Sequence, residues 1–448
     1  MRQKKTNVCF FLLMLTASPV WAVNWLFLQG TEVGEIQHRL SLFVQPSYTY
    51  DKSRAVAVGP HAGKQTVPSL ISPWYKETSA WHVRRARVGA RGLLSDKINY
   101  FFQVELAANL LTYDYLGGQR RNFGPDHFSI TFNHINHARL RVGLFKTPGP
   151  EESFQGVINI DYIEFTDFIA REMMEVFTPG NRRLSPSGGT NEVIGVPDNH
   201  ATGFNGVRDW GVQVFDRFSF DQWEYSYAIM LGRGAGIAST SRSQNALEQY
   251  YYLSSERELV GGRGPKKNGI KLYAWLQRGE RVFASDPEKK SYDRLRYGLG
   301  LHARGKLFSL DQQQRVDVQL LMAKGMLFVS PVGAVKGGDL MFAAQSGNQS
   351  RAISIDYGIF ISTHWEIMLR WDKHELLYRT DGRVWTQGDE RHLNNWTYGV
   401  QYHVSPKLRF TANYIKREAK APNESHPAVV DTLDSIGNRI AIQATWIY

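Results

Sequence analysis

Basic residues spaced at every second position are the groups in this chain best placed to do chemistry. Over Arg294–Lys306, one face of an extended segment carries Arg294, Arg296, His302, Arg304 and Lys306. The opposite face carries Leu295, Tyr297, Leu299, Leu301 and Ala303. Arg85, Arg87 and Arg91 share a face in the same way, as do Arg139 and Arg141, while Lys146 and Arg409 extend the set. Such side chains, held in fixed positions, attract small anions and let them go again, which is how rings of charge select ions in a pore. Asp317, Glu366 and Asp372 fall on similar polar faces and would neutralise part of the charge. A face with three arginines cannot be a dry core, because unpaired buried charge is prohibitive. The opposite faces are oily throughout. Hydrocarbon outside and water inside, as in a membrane barrel, satisfies both demands.

Other constellations do not support a competing chemistry. His127, His134 and His137 are split between a strand and a turn, so the reading includes no metal and no cofactor. The glycine run from Gly232 to Gly236 is not followed by a helix in a βαβ unit, which removes the nucleotide reading. No Gly-x-Ser-x-Gly or His-Glu-x-x-His motif is present, and no catalytic pair can be nominated, so an enzyme is not expected. The formal charge of +11 loses three when Arg2, Lys4 and Lys5 are removed. For an exported chain this excess points to small anions, not to nucleic acid.

The elements that must position these groups read as β-hairpins. In Trp81–Leu106, Ile98, Tyr100, Phe102, Val104 and Leu106 fall on one face, and Ser95-Asp96-Lys97 forms the turn. Further alternating strands run over Ile36–Tyr50, His127–Asn133, Ala138–Thr147, Gly206–Phe218, Gln222–Gly234, Gly269–Phe283, Arg294–Lys306 and Arg315–Val329. The series continues with Arg351–Ser362, His364–Arg379, Asn394–Ser405, Lys407–Glu418 and Ser435–Tyr448. Direct counting gives 15, whereas a closed bacterial barrel with both termini on one side needs an even number. The alternation of short and long connections inverts after Gly234, and one more strand at Gln249–Ser254 restores it. The expected fold class is therefore all-β, a transmembrane antiparallel barrel of 16 strands.

The segment Pro148–Asn205 is too long for an idle connection. It is expected to fold inward as the third loop and narrow the pore, with Asp161, Glu164, Asp167 and Arg171 facing the arginine strands. Within it, Asp161–Phe177 has a helical look. The first 22 residues read as a signal peptide: a basic start, an apolar run over Val8–Leu15 and a cleavage site after Ala22. Residues 23–448 then form one outer-membrane barrel domain. The only cysteine, Cys9, lies in the signal segment, so no disulfide framework is expected. A mean hydropathy of -0.36 excludes a helical membrane protein but suits a barrel with only alternate residues in lipid.

Val83-Arg84-Arg85-Ala86-Arg87-Val88 and Arg141-Val142-Gly143-Leu144-Phe145-Lys146-Thr147-Pro148 resemble two strands of the phosphate-selective porin O and P family, and the resemblance runs over Ile36–Tyr448. It implies a homotrimer of water-filled 16-stranded barrels in the bacterial outer membrane, passing anions past lumen arginines and lysines. Lys146 and Arg85 or Arg87 are the positions that carry over. The family's lysine-rich constriction has no counterpart, since Asp161–Phe177 is acidic and contains no lysine. General anion or small-solute passage is therefore expected ahead of phosphate. The alternatives are a general or carbohydrate-specific channel, with Tyr273, Trp275 and Tyr357 as a candidate aromatic ladder, a barrel enzyme, and a soluble periplasmic hydrolase.

Overall fold

A computed structural model describes residues 25–28, 38–58, 62–63, 79–109, 111–112, 122–177, 182–183, 191–192, 202–203, 207–234, 247–259, 267–282, 291–329, 341–343, 346–380 and 387–448. The signal-peptide reading of residues 1–22 lies outside them. Sixteen antiparallel strands close into a barrel. In chain order they are β1 (His38–Asp51), β2 (Ser79–Ser95), β3 (Ile98–Glu105), β4 (Gly124–Phe132), β5 (Arg139–Lys146), β6 (Arg208–Phe220), β7 (Trp223–Gly232) and β8 (Glu248–Glu258). The second half comprises β9 (Gly269–Val282), β10 (Ser291–Gly305), β11 (Gln314–Gly325), β12 (Gln349–Phe360), β13 (Trp365–Arg379), β14 (Arg391–Ser405), β15 (Leu408–Lys420) and β16 (Arg439–Ile447). β16 pairs back onto β1 through Tyr48↔Ile442 and Val44↔Trp446, which leaves no free sheet edge. The sixteenth strand sits where loop-length parity required it, with β8 enclosing Gln249–Ser254.

Alternation decides which residues meet lipid. Leu295, Tyr297, Leu299, Leu301 and Ala303 point outward from β10, and Trp396, Tyr398, Val400, Tyr402 and Val404 from β14. Trp81, Trp365, Tyr402, Trp446 and Tyr448 are among the exposed aromatic residues of the outer face. Closing the sheet pairs each strand with a neighbour on both sides, as hydrocarbon demands of spanning backbone.

Four details depart from the period-two reading. At Gln45/Pro46 the β1–β2 register shifts, and the extra residue is Arg84. The bulge turns Arg84 inward next to Arg85, although strict alternation would send it into lipid. The segment expected as one strand over Arg315–Val329 leaves the barrel at Gly325, whose φ of 81° strongly favours glycine and whose Cα packs on the Asp293 carbonyl. Leu327–Val329 then pairs separately with Met341–Ala343. Asp161–Phe177 is not a helix over its length: bends run through 161–164, and only Ile169–Met173 forms a π-helical turn. Its carboxylates are held by several strands of the wall, with Glu172 and Glu175 both held by β10, so wall spacing and not helical pitch sets its path. Finally, Tyr357 shares the outward face of β12 with Ile353 and Ile355, and so is no member of a lumen ladder.

Placing a charge on the lipid face tests this assignment. Leu299→Arg should lower stability by about 2–4 kcal/mol in urea unfolding from lipid vesicles, with Leu299→Ile costing less than about 1.5 kcal/mol.

Candidate functional site

The described part of the third loop, residues 148–177, crosses the barrel interior and is fastened to strands on opposite sides. Glu164 receives a two-pronged contact from Arg84 on β2, at 3.0 Å for each nitrogen, and a third from Arg439 on β16 at 3.4 Å. Glu152 pairs with Arg370 on β13 at 3.1 Å, and Glu151 with Lys271 on β9 at 3.0 Å. Asp161 meets Arg315 on β11 at 3.3 Å. Arg409 on β15 donates to the Ile158 and Ile160 carbonyls at 3.2 and 2.9 Å. A segment with contacts on β2, β9, β11, β13, β15 and β16 can lie only inside the ring.

Arg294 and Arg296 on β10 are anchors of the same kind. They are 1% and 0% exposed. Arg294 contacts Glu175 at 2.6 Å and also Glu248, while Arg296 contacts the Glu172 carboxylate and carbonyl, each at 3.0 Å. Asp167 accepts from Asn395 at 2.8 Å and lies 3.7 Å from Arg171. Tyr162 is covered by the Arg370 and Arg315 guanidiniums, 4.4 and 5.6 Å from its ring centre. Burial alone would raise the Glu164 pKa, but Arg84 and Arg439 hold its carboxyl well below the usual range. Its contribution to stability is thus complete above the ordinary carboxylate range and is lost progressively as pH falls from that range toward the lowered value.

The β2–β6 side has a different balance. Arg87 pairs with Glu105 and Asp126, each at 2.8 Å, and Arg208 takes Asp126 from the other side at 2.7 Å. Arg85 donates to Gln45 at 2.9 Å, and Lys146 donates to the Ser153 carbonyl at 2.9 Å and to that of Gln155. Among the described residues no carboxylate pairs with Arg85 or Lys146. These four cations line one small cavity with Ser153, Asn109 and Phe165. Arg141 is turned to other partners: it donates to the Leu26 carbonyl at 2.8 Å and sits 4.3 Å over the Phe215 ring. Arg139 lies 3.5 Å from Asp216 and 4.6 Å over Phe27, so the Trp25–Leu28 turn packs within the barrel against this pair. Arg91 is half-buried nearer the Ser95 end of β2.

Arg304 and Arg409 line a second cavity on the β8–β15 side, with Arg315 and Arg370. Tyr273 and Trp275 are buried in the core cluster that includes Phe154 and Tyr252, so the loop covers those rings. The residues missed from sequence are chiefly anchors: Arg84, Lys271, Arg315, Arg370 and Arg439 on the wall, and Glu151, Glu152 and Glu175 on the loop. All the wall cations except Arg84 lie on the polar face of an alternating strand, so that signal was present. No group of three or more described His, Cys, Asp or Glu residues is arranged to hold a metal.

Replacing Glu164 by Gln leaves Arg84 buried without its counter-charge, and losing such a pair costs about 3–5 kcal/mol. The expected result is a loosened crossing segment, read as faster protease cleavage within residues 161–177.

No family model matches the chain, and no curated protein matches it. Among solved structures, OmpF of Salmonella typhi in complex with daunomycin aligns with a TM-score of 0.51 at 8% identity, over 92% of this chain and 97% of that one. OprB of Pseudomonas putida at high pH aligns with a TM-score of 0.50 at 8% identity, over 92% and 94%. The outer membrane channel DcaP of Acinetobacter baumannii gives 0.49 at 11% identity, over 94% and 99%. At such identities the likeness is one of fold, and the fold is the closed barrel of bacterial outer-membrane porins.

Proposed function

We propose that this protein is an outer-membrane diffusion channel that passes small solutes and favours anions. The observation that carries the reading is the β2–β6 wall, where Arg85, Arg87, Lys146 and Arg208 line one cavity while, among the described residues, Glu105 and Asp126 pair with Arg87 and Arg208. Four cations against two anions leave a net positive surface in a confined space, which raises local anion concentration. Binding there must be strong enough to admit an ion and weak enough to release it. Lys146 suits this because its other contacts are neutral carbonyls and not a competing carboxylate.

The resemblance to the phosphate-selective family supports the same class, with Lys146 and Arg85 or Arg87 as shared positions. An acidic crossing segment favours a general anion path over one dedicated to phosphate. Export by residues 1–22, a single barrel domain over 23–448 and a homotrimeric assembly complete the proposal. The mass of the detergent-extracted complex reads the last of these.

The experiment is reversal potential across a planar bilayer in a salt gradient. Wild type should favour chloride over potassium, and Arg85→Glu with Lys146→Glu should move the potential toward cations by several-fold in permeability ratio. A cation-selective wild type would sink the anion preference, and a bilayer without conductance would sink the channel.

A further inference from the structure

A single helical turn, Trp25–Leu28, sits inside the barrel apart from the crossing loop. Its sequence, Trp-Leu-Phe-Leu, is apolar throughout, in a lumen lined largely by charged and amide side chains. Trp25, Leu26 and Phe27 are 8%, 0% and 7% exposed, so the lumen buries them as a core would. Arg139 on β5 and Arg217 on β6 each lie 4.6 Å from the centre of the Phe27 ring. Phe215, the cross-strand partner of Arg139, meets the same ring at 5.5 Å. Arg141 completes the seat by donating to the Leu26 carbonyl at 2.8 Å.

These partners fix where the turn stands. Arg139 opens β5, and Phe215 and Arg217 lie toward the close of β6, so all three belong to the end of the barrel where the short connections join the strands. In outer-membrane barrels that is the periplasmic end. Trp25 reaches away from this wall. It lines the cavity on the β8–β15 side with Gln155 and Ile160, and its Cζ3 lies 3.6 Å from where a Cβ on Gly156 would be. The turn thus bridges the β5–β6 wall and the crossing loop. The loop's carboxylates are tied to β2 and to strands from β9 onward, so the turn fills an arc that those ties leave open.

We propose that the Trp25–Leu28 turn is a plug at the periplasmic mouth, which narrows the conducting path and keeps Arg139, Arg141 and Arg217 from passing solutes. The inference rests on the channel reading above and adds an autoinhibitory contact to it. The turn carries no charged residue, so its side chains form no ion pair, and it belongs to no strand of the closed sheet. Its removal breaks no strand pairing. It widens the path and returns three guanidiniums to the water, where they raise the local anion concentration. A turn that merely packed against the wall would alter stability and leave ion flow as it was.

Single-channel recording of the full chain beside a chain lacking only residues 25–28 tests this. The deletion should raise unitary conductance by about twofold or more and move the reversal potential in a salt gradient further toward chloride. Trp25→Ala with Phe27→Ala keeps the chain length and should move both quantities in the same directions. Conductance or reversal potential left at the full-chain value in both variants would overturn the plug while leaving the channel reading intact. Failure of both variants to assemble would make the turn a folding element, which overturns the plug as well. No current from any of the three proteins would overturn both readings.

Discussion

Everything inside this barrel depends on how an arginine behaves away from bulk water. A guanidinium in a narrow lumen must find a carboxylate, a set of carbonyls or a solute, because burial without one costs several kcal/mol. Here the contact between Arg84 and Glu164, reinforced by Arg439, is the clearest case. It joins the second and last strands through a loop that begins after the fifth. The interior is thereby tied across its width, and the closed sheet cannot be described apart from the segment it encloses.

This dependence explains why the fold was more legible than the site. Alternation at Leu295–Ala303 against Arg294–Arg304 states which side meets lipid, and the parity of loop lengths located β8 without any strong local signal. Both are period-two consequences of the chain's own geometry. The bulge at Arg84 obeys no such rule. One inserted residue reverses the face of everything before it, and sequence alone does not reveal where the insertion falls. The same limit applies to Asp161–Phe177: its spacing suggests a helix, but Asp161, Glu164 and Asp167 are each captured by a different strand.

The site was legible in residue type and illegible in partnership. Arg294 and Arg296 stand out by spacing as strongly as any cations in the chain, yet Glu172, Glu175 and Glu248 occupy them. Arg85 and Lys146 look no more prominent, and their charge is the part left without a carboxylate. Which arginine is an anchor and which remains available depends on where the loop's acids arrive. That is a tertiary fact set by contacts more than a hundred residues apart, such as Arg296 with Glu172.

A consequence follows for selectivity. If the wall cations were all free, the lumen would be uniformly positive and would favour any anion in proportion to its charge. Pairing Arg84, Lys271, Arg294, Arg296, Arg315, Arg370 and Arg439 with loop carboxylates cancels part of that field and leaves two separated remainders. Arg85 and Lys146 stand on one side, while Glu256, Asp356, Arg304 and Arg409 line the cavity on the other. Salt screens the long-range part of such a field within about 8–10 Å, so what a solute experiences is the arrangement within reach of its own charges. On the channel reading proposed above, the loop would act twice: its backbone would narrow the passage, and its carboxylates would decide which wall charges are still available to a solute. A crossing segment of the same length without those acids would narrow the barrel equally and leave a different channel.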